Sequence, residues 1–232
     1  KLKLKNEIVW DGKKFQGRLL VIGEQGLGDH ILFGSMLNDL LKTHSDIVVM
    51  IEERLFSLFK RSFPKISFIG HKKDIKNVLF KKYIFLGSLG KFFRNTSRSF
   101  PKNQVSFLVP DNEKVINIKR LINNGHAKKI GLSWITNSLN NKKERSIPLK
   151  KFIPILKKYN FDFFDLQYGN TKKERSLVFN KSGNKIIHFD SLDYANDIES
   201  LAALISECDL VITIANFTTQ LAGSLGIPTW VL

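Results

Sequence analysis

Short apolar runs alternate with amphipathic stretches along the first half of the chain. Runs of strand length, bounded by polar residues or glycine, occur at 18–22, 46–51, 66–69 and 83–86. Between them, apolar residues recur at the spacing of one helix face over 29–43, and 52–61 also has a helical pattern. Strands that alternate with helices predict a parallel sheet covered on both faces.

Residues 87–110 interrupt this alternation. Glycine, serine and proline are frequent there, which predicts a long loop with a short strand near Val105–Val109. Loops of this length inside a compact domain are usually functional. Asp111 is then a candidate N-cap for a helix that runs to Ile122, and Asn123-Asn124-Gly125 would end that helix.

A second series of strands and helices occupies the rest of the chain. Its pattern predicts strands at 129–134, 161–167, 185–189, 209–214 and 227–232, and helices at 148–158, 197–206 and 217–225. Gly226 stands where a helix-ending glycine is expected. The two series predict an α/β protein with two Rossmann-like domains, residues 1–125 and 126–232. The second domain is expected to be incomplete, because its last strand has no helix after it.

Charge is concentrated in the first of these domains. The 232 residues carry a net charge of +16, of which +12 falls within 1–125. The stretch 65–102 holds ten basic residues and one acidic residue. Such a field attracts anions, which include nucleic acids, anionic lipids and phosphorylated substrates. No nucleic-acid motif or aromatic stacking pattern accompanies the charge, so we expect no nucleic-acid partner.

Cysteine and histidine usage excludes several classes of site. The single cysteine, Cys208, excludes an internal disulfide framework and a Cys-rich zinc site, and it fits a reducing, cytoplasmic compartment. Four scattered histidines have no metal-ligand spacing: His44, His71, His126 and His188. No apolar run approaches the ~20 residues that a membrane-spanning helix needs. We therefore expect a protein that does not span the membrane.

A glycine-rich turn, Gly23–Asp29, joins the first predicted strand to the first helix. Glycines there let the backbone approach a ligand, and the helix N-terminus favours anions. Gly26-x-Gly28 fits the first half of a dinucleotide fingerprint, but the third glycine would fall at Ile31, and Asp29 would repel a pyrophosphate. A nicotinamide or flavin enzyme is therefore disfavoured. On spacing alone, Asp29 either caps the helix or acts as a general base toward a hydroxyl.

Several segments in the right order resemble one family, the glycosyltransferases related to ADP-heptose:lipopolysaccharide heptosyltransferases (glycosyltransferase family 9). The similar segments are Trp10–Gly12 and Glu24–Asp29, Lys129–Trp134 with Arg145–Leu149, Leu166–Gly169, 196–213, and Leu221–Trp230. A domain of this kind often follows tetratricopeptide repeats. The resemblance implies a GT-B fold, in which an N-terminal acceptor domain and a C-terminal nucleotide-sugar domain face each other across the reaction cleft.

The resemblance also implies roles for particular residues. Asp29 falls on the family's catalytic base, which would take the proton from an acceptor hydroxyl as that oxygen attacks the anomeric carbon with inversion. We expect the neighbouring Gly26, Gly28 and His30 to contact the acceptor. The leaving diphosphate needs positive charge or amide donors. The residues expected to bind the donor are Arg145, Asn216, Thr218, Thr219 and Gln220.

Two sequence features bear on activity. No Asp-x-Asp triplet occurs, which favours metal-independent transfer with no cofactor. The family usually carries an acid and a histidine near the start of the last helix, whereas this chain has uncharged Asn216 and Gln220. An inactive nucleotide- or glycan-binding module of the same fold is therefore the alternative to a transferase. The basic stretch 65–102 would face an anionic saccharide acceptor or the inner surface of the membrane.

Overall fold

The chain forms two compact units in a computed structural model. One unit is Lys1–Val109 and the other is Pro110–Leu232. The structure describes residues 8–70, 74–102, 106–122, 125, 127–136 and 145–232. Both units are α/β, as the sequence predicts, and each is built on a parallel sheet.

Unit 1, residues Lys1–Val109, contains a four-stranded parallel sheet in the order β3-β2-β1-β4. Its strands are β1 (Leu19–Ile22), β2 (Ile47–Met50), β3 (Ser67–Ile69) and β4 (Lys82–Phe85). Its helices are α1 (Leu27–Gly34), α2 (Leu37–Leu41), α3 (Phe56–Ser62) and α4 (Gly90–Phe93). The two central strands β1 and β2 are buried along their whole length, as strands covered on both faces should be.

The amphipathic segment 29–43 is divided between two helices. A turn at Ser35 and Met36 separates α1 from α2, and both helices keep apolar residues toward the core. After β4 the chain makes a 3-10 turn, Leu86–Leu89, and then the short helix α4. Residues 106–109 form no strand, contrary to the prediction for Val105–Val109, and Val105 itself lies outside the described residues.

Unit 2, residues Pro110–Leu232, contains a five-stranded parallel sheet in the order β7-β6-β5-β8-β9. Its strands are β5 (Lys129–Ser133), β6 (Asp162–Asp165), β7 (Ile186–Ile187), β8 (Leu210–Thr213) and β9 (Thr229–Val231). Its helices are α5 (Asn112–Leu121), α6 (Ile153–Lys158), α7 (Lys172–Ser182), α8 (Ile198–Ser206) and α9 (Phe217–Ser224). Helix α7 was not predicted, and Gly226 has the left-handed backbone (φ 77°) expected of a residue that ends a helix.

Helix α5 belongs to unit 2. It begins as predicted, because the Asp111 carboxylate accepts a hydrogen bond from the Lys114 amide at 3.0 Å. It packs against α8, where Lys114 Nζ lies 2.8 Å from Asp197 Oδ2 and 2.8 Å from Ser200 Oγ. The division between the units therefore precedes α5, whereas the sequence pattern placed it after residue 125.

No helix among the described residues is long and apolar enough to cross a membrane. His71 and His126, as well as Asn123 and Asn124 of the predicted helix end, lie outside the described residues.

Candidate functional site

In each unit the strand order reverses beside the first strand. The chain runs outward from β1 through β2 to β3 and then returns to β4 on the other side of β1. It likewise runs from β5 through β6 to β7 and returns to β8 on the other side of β5. Open α/β sheets bind ligands beyond the carboxyl ends of the strands at such reversals. The residues predicted to be functional follow β1 in unit 1 and β5 or β8 in unit 2.

Asp29 lies in the first turn of α1, immediately after this edge of the unit 1 sheet. Its carboxylate accepts a hydrogen bond from the Gly26 amide at 3.1 Å, and its own amide donates to the Gly26 carbonyl at 3.0 Å. Gln25 adopts a left-handed backbone (φ 67°), which turns the chain into the helix. Asp29 therefore caps α1, and it is also partly exposed to solvent.

Two glycines were expected to contact an acceptor at this turn. Gly26 is exposed as the N-cap of α1, but its N–H already points at the Asp29 carboxylate. Gly28 lies within the first turn of the helix and is half-buried. The structure thus places both glycines beside Asp29, and their contact with an acceptor stays a prediction.

A second carboxylate, that of Glu24, lies close to Asp29. Burial raises the pKa of Glu24, and the negative charge of Asp29 raises it further. A Cβ built at Gly87 would lie 3.1 Å from Glu24 Oε1, so this carboxylate reaches the turn that follows β4. The turn between β1 and α1 therefore carries two acidic groups, although its sequence pattern predicts a role only for Asp29.

His30 connects the turn between β1 and α1 to the chain that follows β2. The residue is 7% exposed, and its Nδ1 accepts a hydrogen bond from the Glu52 amide at 3.1 Å, just after β2. Burial lowers the pKa of His30, against the opposing charges of Glu52 and Asp29. Since Nδ1 is an acceptor, the neutral ring carries its proton on Nε2. The predicted acceptor contact of His30 is untested, and its visible role is to hold α1 against β2.

Arg145 reaches the start of the last helix in unit 2. Its guanidinium donates a hydrogen bond to the Ala215 carbonyl at 2.8 Å, although the residue itself is exposed. Ala215 directly precedes Asn216, the N-cap of α9. A fixed positive charge therefore lies at a helix N-terminus, an arrangement that favours anions.

Asn216 is occupied by four hydrogen bonds within the unit. Its Oδ1 accepts from Thr213 Oγ1 at 3.1 Å and from the Thr218 amide at 3.0 Å. Its Nδ2 donates to Ser133 Oγ at 2.8 Å and to the Ile135 carbonyl at 3.2 Å. The side chain therefore joins the ends of β5 and β8 and has no spare donor or acceptor group of its own.

The remaining predicted donor residues surround Asn216. Thr218 is 1% exposed, and its hydroxyl faces Ser133 at 3.3 Å. The Thr219 hydroxyl donates to the Ile214 carbonyl at 2.6 Å. Gln220 Oε1 is buried and accepts no hydrogen bond from the residues that the structure describes. All five predicted donor residues are thus brought to one end of the unit 2 sheet, and their contact with a donor stays a prediction.

A buried carboxylate for which the sequence predicts no role lies next to this group. Asp165, at the end of β6, is fully buried and accepts hydrogen bonds from the Gln167 amide and the Thr171 hydroxyl. It also pairs with Arg175 at 3.1 Å and with His188 at 3.0 Å. Burial raises the pKa of Asp165, and these partners oppose the shift. Nothing in the local pattern could show this, because the partners come from three separate elements.

Gln167 links this carboxylate to the end of β5. Its Oε1 accepts hydrogen bonds from Ser133 Oγ and from the amides of Trp134 and Ile135, at 2.8–3.1 Å. The polar groups at this end of the unit 2 sheet therefore form one connected network that reaches from β6 to β8. The described residues contain no group of three or more His, Cys, Asp or Glu side chains placed to hold a metal ion.

Solved structures with the same fold are glycosyltransferases. A glycosyltransferase family 9 protein from Veillonella parvula matches with a TM-score of 0.67 over 92% of this chain and 80% of its own, at 13% identity. The E. coli ADP-heptose LPS heptosyltransferase II matches with a TM-score of 0.63 over 91% and 83%, at 12% identity. The iron-containing dodecameric glycosyltransferase TibC of E. coli gives 0.58 over 94% and 58%, at 14% identity. The chain thus has the GT-B-like fold of heptosyltransferase-like glycosyltransferases.

One curated protein is similar in sequence. Protein FlbA of Caulobacter vibrioides is 31% identical over 242 aligned positions, which cover 96% of this chain. The chain spans 40% of the length of that relative. No family model matches the chain.

Proposed function

We propose that the chain is a glycosyltransferase domain that moves a sugar from a nucleotide sugar to a saccharide acceptor. The observation that carries the proposal is the position of Asp29. A partly exposed carboxylate stands at a helix N-terminus, beyond the first strand of a unit that has a heptosyltransferase-like fold. A carboxylate there can accept the proton of an acceptor hydroxyl as its oxygen attacks the anomeric carbon.

The donor side of the proposal rests on unit 2. The guanidinium of Arg145 at the N-terminus of α9 supplies positive charge for the diphosphate that leaves the sugar. Asn216 and Thr218 hold the strand ends in place, so their part in donor binding is to position the backbone around the diphosphate. The structural neighbour whose name includes ADP-heptose makes ADP the first nucleotide to test.

Inversion at the anomeric carbon and transfer without a metal ion are further parts of the proposal. Inversion follows from a direct attack in which Asp29 is the base, and transfer without a metal rests on the family resemblance and on the absence of an Asp-x-Asp triplet. We also propose an acceptor from the cell envelope and a cytoplasmic location next to the inner membrane, in keeping with the basic stretch 65–102.

The decisive experiment compares two aspartate-to-asparagine variants. Asp29→Asn keeps an oxygen that can accept the Gly26 N–H, but it cannot take a proton. Asp111→Asn makes the same change at the carboxylate that caps α5 in the other unit. We expect Asp29→Asn to bind ADP normally and to lose about 10²- to 10⁴-fold in the release of nucleoside diphosphate from a nucleotide sugar. Asp111→Asn should turn over at the rate of the unmodified chain, and wild-type turnover by Asp29→Asn would refute the assignment of the base.

An inactive binding module is the second candidate, and one observation favours it. The side chain of Asn216 is fully used within the protein, and Gln220 carries no charge where the family usually has a charged pair. Such a module would bind ADP or a glycan but release no diphosphate from any nucleotide sugar, with or without divalent metal. The same assay therefore separates the two candidates.

A further inference from the structure

A cavity of about 600 Å³ opens on unit 1, next to the candidate base. The cavity is lined by α1, the turn after it and α2, by the turn after β4 and α4, and by residues near 100 and 107. Its size lies in the range of small-molecule sites, roughly 300–1,000 Å³. None of the residues assigned to the acceptor above lines it.

The cavity continues along the helix face that carries Asp29. Leu32 and Phe33 both line the cavity, and they follow Asp29 by three and four positions in α1. Side chains at this spacing share one face of a helix. With a rise of 1.5 Å per residue, Leu32 lies about 4.5 Å beyond Asp29 along the axis. The carboxylate and the cavity are thus adjacent parts of one surface.

The polar end of this surface holds two carboxylates. Gly87 lines the cavity, and the Glu24 carboxylate lies against it, within 3.1 Å of a Cβ built there. Asp29 lies on the helix face that continues into the cavity, three positions before Leu32. Carboxylates accept hydrogen bonds from hydroxyl groups, so this end suits a sugar.

The opposite end of the cavity is apolar, and its charged residues are paired. Arg94 forms an ion pair with Asp39 at 2.8 Å, and its side chain is only 13% exposed. Its guanidinium also lies over the Phe100 ring, 5.7 Å from the ring centre. Lys42 pairs with the same Asp39 at 2.9 Å. Apart from this ion-paired cluster, the cavity is lined largely by the apolar side chains of Leu32, Phe33, Met36, Phe100 and Phe107, so it suits an apolar group.

We propose that this cavity binds the apolar, non-sugar part of a glycoside acceptor whose sugar hydroxyls lie at Glu24 and Asp29. We call it the aglycone cavity. The proposal rests on the proposed transferase function for the identity of the sugar end, and it predicts binding that needs no donor. An acceptor of this kind is a sugar attached to a hydrocarbon or aromatic group, held by carboxylates at one end and by apolar side chains at the other.

Binding of simple glycosides without any donor tests this directly. The probes are octyl β-glucoside, kept below its micelle concentration, methyl β-glucoside and octyl phosphate, each followed by ligand-observed NMR and calorimetry. We expect octyl β-glucoside to bind at least about tenfold more tightly than methyl β-glucoside, because burial of each methylene is favourable. Octyl phosphate should bind more weakly than octyl β-glucoside.

Two substitutions locate the binding in the cavity. Leu32 and Leu79 are both exposed leucines of unit 1, at 51% and 88%, but only Leu32 lines the cavity. Leu32→Gln should weaken octyl β-glucoside binding about threefold to tenfold, whereas Leu79→Gln should leave it unchanged. Gly90 lines the cavity in a helical backbone, and a Cβ there would meet nothing within 4 Å. Gly90→Leu should fill the space and abolish the preference for the octyl chain.

The possible outcomes are distinct from those of the transferase assay. Equal affinity for octyl and methyl glucoside, or no binding of either, would overturn the aglycone cavity even if the chain transfers sugar. If octyl phosphate binds more tightly than octyl β-glucoside, the proposal of a neutral ligand is wrong. If Leu32→Gln and Gly90→Leu leave the binding of octyl β-glucoside unchanged, the ligand binds outside this cavity and the proposal is also wrong. Cavity-dependent octyl binding in a chain that releases no diphosphate would support the cavity and refute the transferase.

Discussion

Asp29 and Asp165 are both carboxylates at the carboxyl edge of a parallel sheet, but their surroundings are opposite. Asp29 is partly exposed, accepts a hydrogen bond from one backbone amide and lies beside an open cavity. Asp165 is fully buried and is surrounded by an arginine, a histidine, a threonine and a backbone amide. The carboxyl edge of a parallel sheet thus carries a partly exposed carboxylate in unit 1 and, in unit 2, a carboxylate that is buried among its protein partners.

The contrast extends to the residues around each carboxylate. At the edge of unit 2, the side chains of Asn216 and Gln167 form hydrogen bonds to residues at the strand ends. This edge is therefore preorganised without a ligand. At the edge of unit 1, the Glu24 carboxylate and the apolar face of α1 border open space. Unit 2 therefore presents a hydrogen-bonded edge with the exposed Arg145 beside it, whereas unit 1 presents carboxylates next to open space.

Removal of the two carboxylates should show the largest difference. Asp165→Ala leaves Arg175 and His188 without their buried partner, and we expect the free energy of unfolding to fall by about 3–5 kcal/mol. Asp29→Ala loses one helix-capping hydrogen bond and should cost about 1 kcal/mol. Urea unfolding of both variants at one pH measures the two changes. Equal losses would mean that Asp165 is not the structural carboxylate that its contacts indicate.

The next contrast lies within the predicted donor residues. Asn216→Ala breaks four hydrogen bonds, among them the one that the buried Thr218 amide donates, which should cost about 2–3 kcal/mol. Gln220→Leu removes a buried oxygen that has no partner among the described residues, so its effect on unfolding should lie within about 0.5 kcal/mol of zero. If Gln220 contacts the donor, Gln220→Leu should still weaken ADP binding, as calorimetry would show. A large loss of stability in Gln220→Leu would contradict this assignment.

A change of pH should act on unit 1 through its histidines. Burial lowers the pKa of both His30 and His44 from the ordinary value of about 6.5. The unfolded chain therefore binds more protons than the folded chain as the pH falls through this value, so the stability of unit 1 should decrease from pH 7.5 to pH 5.5. Urea unfolding and amide exchange of unit 1 peptides across this range measure the effect.

His30→Asn provides the control for this pH effect. An asparagine oxygen can accept the Glu52 N–H, but it does not titrate, so the slope of stability against pH should become shallower. An unchanged slope in His30→Asn would show that His30 does not contribute. Glu24 has a raised pKa, so its contribution has the opposite sign, and it belongs to the more acidic range of carboxyl titration.

The sequence predicted the parallel α/β architecture because strands buried on both faces are uninterrupted apolar runs, as in β1 and β2. It missed α7, Lys172–Ser182, because that helix buries only Val178 and so has little amphipathic pattern. It placed the division between the units too late, because the packing of α5 on α8 depends on contacts far apart in the chain, such as that of Lys114 with Asp197.

The candidate sites could be predicted only where local sequence determines them. Asp29 stands in a glycine-rich turn between a strand and a helix, a pattern that marks it without knowledge of the fold. The partners of Asp165 come from the turn after β6, from the start of α7 and from the segment after β7, so no spacing indicates them. The aglycone cavity likewise combines α1 with residues near 90 and 107, which only the folded chain brings together.

The smallest expected change in stability is that of Arg145→Gln. This variant also tests whether the exposed guanidinium of Arg145 binds the donor. Arg145 is exposed and makes its hydrogen bond to the Ala215 carbonyl, so Arg145→Gln should alter the free energy of unfolding by less than about 0.5 kcal/mol. If the guanidinium binds a diphosphate, the same variant should weaken ADP binding by about tenfold, since a hydrogen bond to a charged group contributes about 1.5–3 kcal/mol. Arg120→Gln, which changes an exposed arginine on α5 of the same unit, should leave both quantities unchanged. Unaltered ADP affinity in Arg145→Gln would assign the diphosphate to the backbone at the start of α9 alone. Unit 2 would then bind the diphosphate through backbone amides that Asn216 positions, whereas unit 1 would bind its ligand through the side-chain carboxylates of Glu24 and Asp29.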